Sequence, residues 1–256
     1  MKIVEYKLTW DESPLRAALV ADFHNGDPEP LIDALRDAHP DVILVAGDVV
    51  TDARRVKNGL ALLRAATTVA PTFFSLGNHE AKCGEDVKEQ IAATGVRLLD
   101  DEYTRFGGIF IGGLSTGWSR DNQRRTKQTP PPALGWLDGF CAEKGVKVLL
   151  CHHPEYYPAY LSERSLDLVL AGHAHGGQWR LFGRGLFAPG QGIFPKFTSG
   201  AYRGRKKLKG ALRLGGQPVL IVSRGLHDHT RIPRINNPQE LIVLDFQKDN
   251  GTKRQW

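Results

Sequence analysis

The run Leu15-Arg16-Ala17-Ala18-Leu19-Val20-Ala21-Asp22-Phe23-His24 decides the fold. A largely apolar stretch of strand length ends on two residues, Asp22 and His24, whose chemistry suits a metal ion. The pattern recurs four times downstream. Gly47-Asp48 follows the apolar residues 42–46, and Gly77-Asn78-His79-Glu80 follows 72–76. His152-His153-Pro154 follows 146–151, and Gly172-His173-Ala174-His175 follows 166–171. Five strand-like runs, each ending in ligand chemistry, predict one site at the edge of a sheet, where strand C-termini open onto loops.

The segments between these runs supply the architecture. Residues 30–38 place Leu31, Leu35 and Ala38 at helical spacing behind Pro30, and 56–66 and 86–93 also read as helices. Strands alternating with helices imply a largely parallel sheet with crossover connections. Residues 1–8 predict an edge strand. After Gly95 the pattern changes to short strands at 96–99, 103–106 and 109–111, with Gly107-Gly108 as a hairpin turn. A polar, basic loop over 115–132 ends in three prolines, and a helix is expected over 133–143. Residues 218–222 and 241–246 read as closing strands. The expected fold class is α/β (α+β in some schemes): a four-layer αββα sandwich of two mixed sheets flanked by helices, as one domain over residues 1–256.

Bulk properties narrow the function. A formal charge of +6 favours anionic partners such as phosphates, nucleic acid or acidic membrane surfaces. Cys83, Cys141 and Cys151 are widely spaced and odd in number, which fits reduced thiols and not a disulfide framework. Residues 1–10 lack an apolar h-region and a cleavage site, and no apolar run approaches the roughly 20 residues of a membrane span. A cytoplasmic protein is expected, at most peripheral at the inner membrane face.

Asp22, His24, Asp48, Asn78, His152, His173 and His175 make seven candidate ligands without a cysteine. Asp, Asn and His suit Mn, Fe or Zn ions. Seven groups are too many for one site that keeps positions open. They fit two divalent ions of about four ligands each, sharing one carboxylate, and such a pair clamps a phosphoryl group.

The ordered series Asp22-x-His24, Gly47-Asp48, Gly77-Asn78-His79-Glu80, His152 and Gly172-His173-x-His175 resembles the calcineurin-like metallophosphoesterases, over residues 15 to about 180. Gly176-Gly177-Gln178, Ser223-Arg224-Gly225 and Pro233-Arg234-Ile235-Asn236-Asn237-Pro238 resemble the bacterial branch of YkuE- and YaeI-type phosphodiesterases. The resemblance implies that Asp22, His24 and His175 hold a first metal and that Asn78, His152 and His173 hold a second. Asp48 would bridge them beside a hydroxide that attacks phosphorus. His79 would bind no metal and would donate to a phosphoryl oxygen or to the leaving alkoxide. The implied enzyme is a metal-dependent phosphoric ester hydrolase acting on a phosphodiester or pyrophosphate. A lipid-linked substrate, a UDP-diacylglucosamine-type pyrophosphate, nucleic acid and a cyclic nucleotide are all open. A non-catalytic interaction module on the same fold is disfavoured, because every ligand position is filled.

Other residues carry less. His153 competes with His152, but the His-x-Pro pattern selects His152, and strand alternation turns His153 the other way. His39 is expected in an exposed turn. His227 and His229, flanking Asp228, read as a polar loop at the rim, and the branch has a glycine where this chain has His227. Cys151 reads as a small buried hydrophobe. Arg54-Arg55 and Arg124-Arg125 are loop residues that could lie near the site. The basic run Arg203, Arg205, Lys206, Lys207 and Lys209 follows the aromatic-rich residues 179–197. It is a solvated loop or a surface for anionic lipid, with the aromatics meeting apolar chains. An obligate nucleic-acid partner is not expected.

Overall fold

The computed structural model describes residues 1–11, 13–122, 129–227 and 233–248. Asp228, His229, Arg124 and Arg125 lie outside them.

Two seven-stranded mixed sheets face each other. The first runs, in spatial order, Leu212–Arg213, Lys2–Trp10, Glu240–Lys248, Leu15–Val20, Val42–Ala46, Thr72–Ser75 and Arg97–Leu99. Its last four strands are parallel, joined by crossovers through the helices Glu29–Ala38, Lys57–Val69 and Glu85–Ala92. The second runs Lys206–Lys207, Gly200–Arg203, Val219–Val222, Leu168–Ala171, Val146–Cys151, Ile109–Leu114 and Glu102–Phe106. Its central four strands are parallel and its edges are antiparallel hairpins.

Side-chain alternation sorts the apolar residues into three layers, because successive strand residues point to opposite faces. Ala17, Leu19, Leu44 and Ala46 of the first sheet meet Val148, Leu150, Leu168 and Leu170 of the second. The intervening Ala18, Val20, Ile43 and Val45 face outward onto Leu31, Leu35, Leu62 and Leu63 of the first two helices. The opposite outer face, with Leu149, Val169 and Leu220, packs under Leu137, Phe140, Tyr157 and Leu161. The αββα sandwich follows, with unequal outer layers.

Four expectations need correction. The helix expected over 133–143 is confined to Leu137–Ala142. Prolines at 130–132 lack backbone donors and disfavour helical backbone in the residues before them, and no helix is assigned between them and Leu137. A short helix at Asn78–Cys83 was not anticipated, because its apolar face is too small to show periodicity. The strand at 241–246 does not close the sheet's edge. Glu240–Lys248 inserts between Lys2–Trp10 and Leu15–Val20, parallel to one and antiparallel to the other. Lys2–Trp10 is an outer strand only in its first half, since Leu8 and Thr9 pair with Leu212 and Arg213.

Leu150 is fully buried between the sheets. Leu150→Ala is expected to cost about 2–5 kcal/mol in urea unfolding, through lost burial and a residual cavity.

Candidate metal centre

The C-terminal ends of five parallel strands, three in one sheet and two in the other, bring the seven residues together. Asp22 and His24 follow Leu15–Val20, Asp48 follows Val42–Ala46, and Asn78 follows Thr72–Ser75. His152 follows Val146–Cys151, and His173 and His175 follow Leu168–Ala171. All seven are buried. Backbone pairing continues past the strand ends: Asp22 N–H donates to Gly47 O (3.1 Å), His24 N–H to Asp48 O (3.0 Å) and Gly172 N–H to His152 O (3.1 Å). Two bonds tie the sheets to each other at this point. His152 Nδ1 lies 2.7 Å from the Ala46 carbonyl, and the His173 N–H reaches both Asp22 carboxylate oxygens at 3.0 Å.

The backbone is held in an unusual conformation. Asp22, His24, Asp48, His173 and His175 all have positive φ, between 46° and 63°. Left-handed backbone costs a non-glycine residue free energy, and surrounding structure must over-determine it. Glycines give the loops room. A Cβ on Gly77 would collide with Asp48 Oδ1 and stand 2.5 Å from Asp48 N. Gly225, at φ 75°, would place one 2.7 Å from the Asp22 Cβ.

Among the described residues, possible ligand atoms converge in four groups, two of which also take in His79 (with His24 and Asp48) and His153 with Glu155 (beside His173); the other two use the expected residues alone. One oxygen of Asp22 and a ring nitrogen each of His24 and His175 lie within 4.8 Å of one another, as do single atoms of Asp48, His152 and His173. Asp48 Oδ2 is 3.8 Å from His24 Nε2 and 3.1 Å from His152 Nε2, which places it between the groups. A carbonyl only accepts, so Ala46 fixes a His152 proton on Nδ1 and leaves Nε2 facing the Asp48 carboxylate. Burial alone would push the His152 imidazole down, but Asp48 and then Asp22 outweigh it and hold it up at about 10. Burial would raise Asp48, and His152, His79 and His24 instead hold it well below the usual carboxylate range. Burial, reinforced by His153 and His152, drives His173 well below the usual imidazole range, as a neutral ligand requires. The Asn78 Oδ1 is buried without a hydrogen-bond partner. The donor set therefore fits divalent cations.

His79 stands beside this pair. Its N–H donates to Asp48 Oδ1 (2.9 Å), its Nδ1 is 2.5 Å from the Thr51 carbonyl, and its Nε2 is 3.9 Å from Asp48 Oδ2. Thr51 also donates its hydroxyl to His24 O. His153 stands beside His173: its Nε2 lies 2.8 Å from Thr116 Oγ1 and its Nδ1 3.3 Å from Glu155, its ring packs edge-on to His173, and one of its ring nitrogens groups with Glu155 and His173. Burial lowers its pKa against the pull of Glu155. His227 is exposed, and its backbone N–H donates to Asp22 O (2.8 Å). Arg55 pairs with Asp52, Arg54 is exposed, and His39 is exposed in the left-handed turn that ends its helix. Cys151 is fully buried, and burial pushes its thiol up.

Two residues at the centre carry roles not assigned from sequence. Glu80 is fully buried and accepts four backbone N–H groups: Asp48 and Gly77 on Oε2, both 2.9 Å, and Val49 and Val50 on Oε1, 2.7 and 3.0 Å. Burial and the neighbouring Asp48 raise its pKa, while the Val50 and Asp48 amides oppose the rise. A glutamate three residues after a helix-opening glycine was the available signal. Asn237 donates Nδ2 to His175 O (2.7 Å) and Gln178 O (3.1 Å), closing the turn that carries His175.

Comparisons with known proteins identify what the chain is similar to. The calcineurin-like phosphoesterase family matches residues 15–177. An uncharacterized metallophosphoesterase of Campylobacter jejuni is 26% identical over 96% of this chain and 63% of its own. The phosphodiesterase YaeI of Escherichia coli is 26% identical over 70% of this chain and 68% of its own. A dimetal phosphatase from Danio rerio superposes with a TM-score of 0.45 at 14% identity, over 82% of this chain and 87% of that one. The chain spans 46% to 63% of the length of the first curated relatives it matches. With residues 15–177, most of its length, matched, the chain belongs to the calcineurin-like phosphoesterase family.

Proposed function

We propose that the chain is a dimetal phosphoesterase that hydrolyses a phosphodiester or pyrophosphate bond, built as one metallophosphoesterase domain over residues 1–256. The observation that carries it is the pair of ligand groups meeting at Asp48. Asp22, His24 and His175 would hold one ion and Asn78, His152 and His173 the other, with Asp48 between them. Mn, Fe or Zn suits these donors. When bound, such a pair supplies Lewis acidity toward phosphoryl oxygen and a nucleophile at neutral pH.

The chain's own residues do the rest. The Thr51 carbonyl orients the His79 ring by holding Nδ1–H, leaving Nε2 on the side of the Asp48 carboxylate. In its cationic form His79 donates Nε2–H to a phosphoryl oxygen or to the departing alkoxide. Glu80 binds no substrate. It is a positioning residue that locks the Asp48 loop to the Gly77 loop, so that Asp48, Asn78 and His79 keep one register. Within phosphoesters, the reading extends to a phospholipid or lipid-linked substrate met at an anionic membrane surface. Exposed aromatics beside basic residues support that extension, and among the described residues no helix is long and apolar enough to cross a membrane.

Three outcomes follow. Elemental analysis of the purified protein finds about two Mn, Fe or Zn ions per chain, and bis(p-nitrophenyl) phosphate is hydrolysed only while they are bound. Full activity in metal-free protein would overturn the proposal. Asp48→Ala loses metal and turnover together, whereas His79→Ala keeps both ions and loses roughly 10²–10⁴-fold in kcat; loss of metal from the latter would reassign His79 as a ligand. Glu80→Gln puts an amide N–H₂ against backbone donors. Its unfolding free energy should fall by about 1–3 kcal/mol, and a chelator should strip its metal at lower concentration than from the wild type.

A further inference from the structure

Two small hairpins follow the His175 turn. In the first, Arg180–Leu181 pairs with Arg184–Gly185, and in the second, Phe187–Ala188 pairs with Gly192–Ile193. The first turn is Phe182-Gly183, left-handed at both residues, with φ 48° and 78°. Turns of this hand favour Asn-Gly or Asp-Gly, because a bulky side chain opposes positive φ. Here the first position is a phenylalanine that is 96% exposed. Phe194, just past the second hairpin, repeats the anomaly at φ 53° and 77% exposure. Of the twelve described non-glycine residues with positive φ, these two alone are apolar, and the rest are Asp, Asn, His or Gln. Each is unfavourable twice over, in its backbone and in its contact with water. Such a conflict persists where function uses it.

The surroundings say what the use is. Ile193 is 75% exposed, and Leu181 is also exposed. Behind Phe194 lies a cavity of about 440 Å³ lined by Arg184, Lys196 and Lys207, with no acidic residue in its wall. Exposed Arg205 and Lys206 continue the positive charge along the outer hairpin of the second sheet. Aromatic tips over a cationic hollow suit a lipid interface, where rings enter the acyl boundary and Lys and Arg meet headgroup phosphates. The net charge of +6 acts in the same direction. The element is firmly held: Leu186 N–H donates to Gly177 O (3.1 Å) and Trp179 O (2.8 Å), Phe194 N–H to Leu186 O (2.9 Å), and Arg180 Nη1 to Gly176 O (2.6 Å). The tips are thus tied to the turn that carries His175.

We propose that residues 180–196, with Lys207, form a docking surface for an anionic phospholipid bilayer: Phe182, Ile193 and Phe194 enter the interface and Arg184, Lys196 and Lys207 take phosphate headgroups in the hollow behind them. This deepens the function proposed above by giving its phosphoester a source at a lipid surface, next to the metal centre.

Vesicle co-sedimentation of the full chain, with no substrate present, tests it apart from catalysis. The chain sediments with phosphatidylcholine vesicles containing phosphatidylglycerol and much less with phosphatidylcholine alone. F182S/F194S weakens binding on the order of tenfold or more, and R184E/K196E/K207E weakens it by at least about tenfold. Both variants should keep the wild-type thermal unfolding transition, which separates lost docking from lost folding. Absence of vesicle binding by the wild type, or unchanged binding by F182S/F194S, overturns the proposal. So does equal binding to neutral and anionic vesicles. Analytical ultracentrifugation and oligothymidylate binding cover the remaining occupants. A wild-type dimer that F182S/F194S dissociates would assign the face to a second copy, and oligothymidylate binding abolished by R184E/K196E/K207E would assign it to nucleic acid.

Discussion

The carboxylate of Asp48 is buried with Oδ2 3.1 Å from Nε2 of His152, whose Nδ1 is held by the Ala46 carbonyl, and the surrounding architecture follows from holding it there. A buried anion must be matched by positive charge or by donors. The protein supplies donors to the neighbouring Glu80 and histidines to Asp48 itself, which leaves the second carboxylate's charge to be balanced by whatever the histidines hold. The same carboxylate accepts the His79 N–H on its other oxygen. One side chain thus joins the loops of two strands in one sheet to a strand end of the other.

Both sheets are needed for this. The first contributes two carboxylates, an amide and the imidazole of His24, and the second contributes three histidines. The hydrogen bonds from His152 to Ala46 and from His173 to Asp22 act as stitches at the open edge of the sandwich. The apolar layer between the sheets lies directly beneath, so its close packing fixes how far apart the two sets of ligands stand. The left-handed backbone at five of the candidate positions is tolerable because these bonds and the close-fitting glycines leave the loops little alternative.

Much of this was legible in the chain. Apolar runs at 15–21, 42–46 and 146–151 are read as strands without ambiguity, and the candidate ligands sit immediately after them, so parallel pairing gathers them along each sheet, while their meeting across the two sheets depends on packing that the pattern does not show. Gly107-Gly108 likewise marks its hairpin. Glu80 was harder, because its partners are backbone amides at 48–50, which leave no mark in side-chain pattern. The place of Glu240–Lys248 was hidden for a similar reason: strand order within a sheet is set by long-range pairing, and its apolar run would fit an edge or a centre. The exposed tips at Phe182 and Phe194 were visible only as aromatic content, since neither exposure nor the sign of φ is written in composition.

The handedness of the backbone at Asp22, His24, Asp48, His173 and His175 also shapes how the centre can drift. Positions at positive φ are comfortable for glycine, and for asparagine, aspartate and histidine among side chains that carry chemistry. Substitution at these positions would therefore find its easiest replacements in glycine and asparagine, with the loops and sheets intact. Hydrophobic and β-branched replacements are opposed by the backbone before metal chemistry is consulted. The strand-end loops are in this sense a filter on inheritance, narrowing the alphabet to residues that bind cations or to one that leaves the shape of the pocket unchanged.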